Sequence, residues 1–196
     1  MNPVPWIALS STLFVVTHFV MSHPPARAAQ IARLGDKPFL ALYSLVSFAT
    51  WGPAAWLWWT HRHAGTMFWA TRSPVVVHLA EVVIAVGVAL SVAGVANPAP
   101  SSAASAGRPA GAVRGIHHVT RHPVFVGSAL LAGGHLLTNG FAGDLWFLGS
   151  HVVLGIGGAL HQDYRMNTQK PGYPAFAAAT TVWPNPLGLP RIGGRG

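Results

Sequence analysis

Cysteine is absent from this chain, and acidic residues nearly so: Asp36, Glu81, Asp144 and Asp163 are the only four among 196 residues. The first absence excludes disulfides, thiolate zinc sites, iron–sulfur clusters and a cysteine nucleophile together. The second belongs to a wider shortage of charge. Only 8% of residues are Asp, Glu, Lys or Arg, against about a quarter in soluble domains, too few to coat a globule of this length in water. What fills the chain instead is apolar, at 51%. The formal charge of +8 does not point to nucleic acid, because the twelve Lys and Arg lie scattered between apolar runs and form no basic stripe.

Five segments are long and apolar enough to cross a hydrocarbon core, which takes about 20 residues of helix. They run from about Pro5 to His23, Pro38 to Thr60, Pro74 to Ala96, Pro123 to Asn139 and Asp144 to Gln162. Proline opens four of them, where its missing N–H and fixed φ do no harm. The first lacks the basic head and small-residue cleavage site of a secretory signal, so it reads as a retained helix. The expected fold is all-α: a polytopic membrane helix bundle of about five transmembrane helices, one domain over residues 1–196.

Lys and Arg set its orientation. With the N-terminus out, the inner segments hold Arg27, Arg33, Lys37, Arg108, Arg114, Arg121, Arg165, Lys170, Arg191 and Arg195. The outer loops hold Arg62 and Arg72 alone. Ten against two predicts N-terminus out and C-terminus in by the positive-inside rule. Trp56, Trp58, Trp59, Phe68, Trp69, Phe141, Trp146 and Phe147 then gather as an outer aromatic belt. The Pro-, Ala-, Ser- and Gly-rich stretch 97–115 reads as a flexible cytoplasmic linker. The tail 171–196 carries an apolar patch, Tyr173 to Trp183, suited to the inner interface.

Ionisable groups inside a span are functional candidates, since each is costly to bury in lipid. His18, His78, His135 and His151 lie within spans, with Glu81 one turn from His78. His117, His118, His122 and His161 cluster near the inner ends of the last two helices. Without cysteine, the available metal ligands are imidazoles. Two histidines on facing helices, a dry slot between them and basic groups for the propionates would hold haem; Arg27, Arg114 and Arg121 are placed for the last role. Helix bookkeeping leaves the pair open. His18 and His135 differ in depth by roughly 9 Å, and His151 matches His135 better. The bland alternative is that each histidine hydrogen-bonds a neighbouring helix, with Glu81 pairing to His78 or Arg72. The glycines of 127–134 and 149–158 mark close helix contacts.

The run Gly115-Ile-His-His-Val-Thr-Arg121-His122-Pro123-Val-Phe-Val-Gly127, with Leu131-Ala-Gly-Gly-His135-Leu-Leu-Thr-Asn139-Gly140, resembles the NnrU family. Phe14-Val-Val-Thr-His18, Arg27, Arg33-Leu-Gly-Asp-Lys-Pro-Phe, Tyr43-Ser-Leu-Val-Ser and Asp163-Tyr-Arg165 extend the likeness over nearly the whole chain. The resemblance implies a multi-pass protein of the bacterial inner membrane associated with denitrification, the respiration of nitrite and nitric oxide. The family is related to the plastid zeta-carotene isomerase, which carries haem b on histidines. That relation implies haem b on His18 and His135, with a redox-gated isomerase-like reaction, electron transfer or reductase maturation as the role. Its partners would then be the bilayer and a redox or maturation partner. The isomerase has a cysteine three residues before its second histidine; here Ala132 stands there, so thiolate ligand switching is excluded.

Arg121-His122-Pro123 also resembles the membrane isoprenylcysteine and phospholipid methyltransferases, which hold S-adenosylmethionine with a similar motif. Under that alternative Arg121, His122, Asp163 and Arg165 line a pocket at the cytoplasmic face. After Pro123 the chain offers only Asp144 and Asp163 as acids, which weakens it. A third reading is a non-catalytic assembly or signalling partner whose histidines only bridge helices.

Overall fold

A computed structural model describes residues 2–102, 105 and 109–185. Helix α1 (Val4–Ser22) stops where His23 precedes Pro24 and Pro25, since a residue before proline is driven out of the helical region. The same prolines then occupy the first turn of α2 (Pro24–Leu34), a short helix in the inner segment between the first two expected spans. Gly35, at φ +82°, makes the turn into α3 (Asp36–Thr60). After it come α4 (Pro74–Ala96), α5 (Pro123–Thr138), α6 (Ala142–Gln169) and α7 (Tyr173–Ala179).

Four of these, α1, α3, α4 and α6, are long and apolar enough to cross a membrane. Their outward residues suit lipid: Phe48, Val75 and Val95 are each at least 70% exposed. The fourth predicted span is the short one. At 16 residues, α5 reaches about 24 Å and ends at Thr138, because Asn139-Gly-Phe leaves the helix to form a strand. That strand, β2 (Asn139–Phe141), pairs antiparallel with β1 (Met67–Ala70). The ribbon was not foreseen. It joins the α3–α4 connection to the α5–α6 connection, and Gly140 is required in it, since a Cβ there would meet the Trp69 ring at 2.2 Å.

The helices pack in the order α3, α1, α6, α5, α4, each on the next. Glycine sets the tightest contacts, as expected from the clusters in 127–134 and 149–158. A Cβ on Gly127 would lie 2.6 Å from the Gly87 carbonyl oxygen of α4, and one on Gly155 2.6 Å from the Phe125 carbonyl oxygen of α5. Gly133 and Gly149 meet no such neighbour. Between α1, α3, α5 and α6, Ile7, Ala54, Ala132, Phe147 and Leu148 form the buried core. Trp58 and Phe147 stack inside, with ring centroids 4.7 Å apart, rather than joining the aromatic belt. Trp56, Trp59, Phe68, Trp69 and Trp146 are exposed near the ribbon end, as a belt requires.

The opposite end, here called the basic end, is closed by the tail. Thr120 Oγ1 donates to the Val182 carbonyl at 2.5 Å, and the Arg121 and Asn185 amides donate to Thr181 and Val119 at 2.8 and 2.9 Å. Described parts of the 97–115 linker are tied down as well. Gln162 Nε2 donates to Ser101 O at 3.2 Å, Lys170 Nζ to Pro100 O and Ser105 O, and the Ala110 amide to Pro171 O at 3.0 Å.

Candidate functional site

Two sets of predicted residues come together, one at the basic end and one in the interior. The first centres on Asp163, near the end of α6. Arg121 lies two residues before Pro123, outside α5, and its side chain turns toward α6. Its Nε and Nη2 donate to Asp163 Oδ2 at 2.9 and 2.5 Å. His122 Nε2 donates to Oδ1 at 2.7 Å, and the Tyr173 hydroxyl to the same oxygen at 2.6 Å. Arg121 Nη1 donates to the carbonyls of Ala177 and Thr180 at 3.3 and 2.9 Å. Burial, with the Asp163 carboxylate beside it, pushes the Tyr173 hydroxyl well above the usual phenol range.

Arg121, His122 and Asp163 thus meet as expected, but with their donors aimed at protein acceptors. The group is a clamp that holds the tail on the start of α5. Tyr173 is the member that sequence reasoning missed; its only signal was an apolar patch in a tail. Arg165, expected to share that pocket, donates to none of these residues. His117, in a 3-10 turn (Gly115–His118), sits beneath the clamp with Nε2 donating to Asn97 O at 3.0 Å. Its pKa is lowered, first by burial and then by the charges of His122 and His118.

The interior set is three histidines with one device in common. His18, His135 and His151 each donate from Nδ1 to the carbonyl four residues earlier, Phe14, Leu131 and Phe147, at 2.8 Å in every case. That bond fixes the tautomer and leaves Nε2 as the free lone pair, the arrangement a metal-ligating imidazole uses. What each Nε2 meets differs. His151 accepts from Trp51 Nε1 at 3.0 Å, and His18 faces Ser47 Oγ at 3.3 Å. Among the described residues His135 Nε2 has no partner. His18 and His151 flank Phe14, at ring distances of 4.3 and 5.8 Å. A groove lined by Phe14, Ser47, Phe48 and Trp51 opens beside them.

Haem on two of these histidines requires them to share a level. Gly155 and Gly158 of α6 meet Ala129 and Phe125 of α5, which sets His135 opposite Gly149, less than a turn from His151. Gly143 and Gly157 meet Ile7 and Phe19 of α1, which sets His18 near Gly155, about 10 Å further toward the basic end. α6 also stands between α1 and α5. His135 therefore fits a ligand's role as it stands, whereas His18 does not share its level in this arrangement. Arg27 lies 4.6 Å above the Phe39 ring, Arg114 is exposed, and neither has a hydrogen-bond or ion-pair partner among the described residues. His78 bonds Glu81 at 3.1 Å with both side chains mostly exposed, as in the bland expectation.

A further buried cluster sits at the ribbon end. Asp144 is 1% exposed and accepts from Trp58 Nε1 at 2.7 Å and His63 Nδ1 at 2.8 Å. His63 adopts φ +59° to reach it, an uncommon conformation for a residue with a side chain. The sequence reading starts the fifth span at Asp144 and gives its carboxylate no role. An acid at the head of an apolar run, with histidines in the earlier connection at 61 and 63, was the available sign.

An apolar bundle with glycine-tight contacts and four helices of spanning length defines a polytopic integral membrane protein. The family model described as NnrU protein matches residues 6–191. The chain belongs to the NnrU family. No curated protein and no solved structure matches it.

Proposed function

We propose that this protein binds haem b within the bundle and serves nitrite and nitric oxide metabolism in the bacterial inner membrane, beside a redox or reductase-maturation partner. One observation carries the haem reading: His135 Nε2, its tautomer fixed by Leu131 O, has no partner among the described residues. The nitrogen is not sealed inside the bundle, so an iron centre can reach its lone pair. The resemblance pairs His135 with His18, and the helix register pairs it with His151. A b-type haem would supply one-electron redox chemistry. The chain's own part is to fix the imidazoles through Phe14, Leu131 and Phe147 carbonyls and to keep water out with Phe14, Phe147 and Trp51.

The test is an absorption spectrum of the detergent-purified protein, oxidised and then reduced with dithionite. A Soret band that shifts, with sharp α and β bands on reduction, is expected, and His135→Ala should abolish it. His18→Ala and His151→Ala decide the second ligand, since only the true one changes the reduced spectrum. Protein made with ample haem supply that shows no Soret band would overturn the reading.

A further inference from the structure

Four carboxylates serve the chain, and three are engaged. Asp163 holds Arg121, His122 and Tyr173, Asp144 holds Trp58 and His63, and Glu81 holds His78. Asp36 is exposed and forms no ion pair among the described residues. Arg165 receives none of them. It is 8% exposed, its Nε is sealed from solvent without a partner, and no described residue accepts a hydrogen bond from its side chain. Only Nε is fully sealed and the rest of the group keeps a narrow opening to solvent, but a mostly buried cation with no protein acceptor is unfavourable.

Its neighbours add to the imbalance. Arg27, reaching in from α2, lies over the Phe39 ring, which is 6.1 Å from the ring of Tyr43 of α3, and its positive charge acts on Arg165; the Asp36 carboxylate acts on Arg27 and offsets part of that charge. His161 feels the charge of Arg165 and meets His23 at 3.3 Å. Two guanidiniums, two imidazoles and a phenol from α2, α3, α6 and the α1–α2 junction converge where α1 ends, at the mouth of the basic end, and no carboxylate bonds any of them.

We propose that Arg165, Arg27 and Tyr43 form a binding site for a phosphate group, carried by a phospholipid headgroup or free in solution. A guanidinium fork fits two phosphate oxygens at once, and Arg is the side chain suited to such a partner away from water. A phenol hydroxyl supplies one more donor. An anion there relieves the repulsion between Arg27 and Arg165 and gives the sealed Nε an acceptor. The site is independent of haem.

Native mass spectrometry of the protein released from mild detergent reads the lipid source, and thermal unfolding by tryptophan fluorescence reads the free anion. Expected for wild type is either a retained phospholipid adduct or a rise in Tm with inorganic phosphate beyond that with chloride of equal ionic strength. An adduct assigns the lipid, and a phosphate shift without an adduct assigns the free ion. Arg165→Gln and Arg27→Gln should each weaken binding by about ten- to a hundredfold. Stripped of lipid and phosphate, Arg165→Gln should unfold at or above the wild-type temperature, because it removes an unbalanced buried charge; this separates lost binding from lost folding. Wild type with neither adduct nor shift, or both variants binding as well as wild type, would overturn the site.

Discussion

Asp163→Asn is the sharpest perturbation of the basic end. The substitution keeps the shape and removes the charge that three donors share. Arg121 and Asp163 side chains are 13% and 12% exposed and that of His122 is 1% exposed, so water cannot take over the lost bonds. Breaking a buried pair in this way costs about 3–5 kcal/mol. The loss falls on the tail, because Arg121 also holds Ala177 and Thr180 through their carbonyls. With no cysteine in the chain, a single Thr180→Cys makes a reporter at a position only 3% exposed. If tail opening limits thiol labelling, 3–5 kcal/mol raises the labelling rate by about 10²-fold to several thousandfold. Equal labelling with and without Asp163→Asn would refute the clamp and return Arg121, His122 and Asp163 to the pool of ligand-binding residues.

Other consequences are as direct. Gly127→Val places a branched side chain against the Gly87 carbonyl and Ser91, so it should lower stability by about 1–3 kcal/mol, seen as reduced Tm in detergent; Gly133→Val, with open space around it, should cost far less. Trp58→Phe removes a donor to the buried Asp144 carboxylate, which should cost about 1.5–3 kcal/mol by the same assay, with Trp59→Phe as the silent control. His117 is held neutral by burial, its folded pKa below its ordinary value. The unfolded chain then binds the proton first, so stability falls as pH drops through about 6.5 toward the folded value. His117→Gln should flatten that part of a Tm-against-pH curve, and an unchanged slope would count against the burial argument.

The spans were legible because apolar length needs no partner to be read. α4 occupies 74–96 as expected, and α1 and α3 shift by two residues or less at their ends. What failed to show depended on contacts across the chain. α6 continues to Gln169 because Gln162, Asp163 and Lys170 find acceptors and donors in the linker and tail, which local composition cannot announce. Trp58 read as belt and lies inside, since only the fold brings Phe147 and Asp144 to it. The Arg121–His122–Asp163 group was named from its motif. Its chemistry was not, because Tyr173 and the carbonyls of α7 decide where the donors go. Depth counting had already separated His18 from His135, and helix register repeats that separation in three dimensions.

The tail clamp also bears on how the protein is made. Helices α5 and α6 leave the ribosome before Tyr173, Ala177 and Thr180 exist, so Arg121 enters the membrane region with only part of its acceptor set. A copy halted before α7 keeps the Asp163 pair but lacks the carbonyls that Arg121 Nη1 uses and the Asn185 amide that caps Val119. Its basic end is open to proteases and chaperones. Synthesis through Asn185 closes it, so a late stretch of the chain certifies the helices that came before.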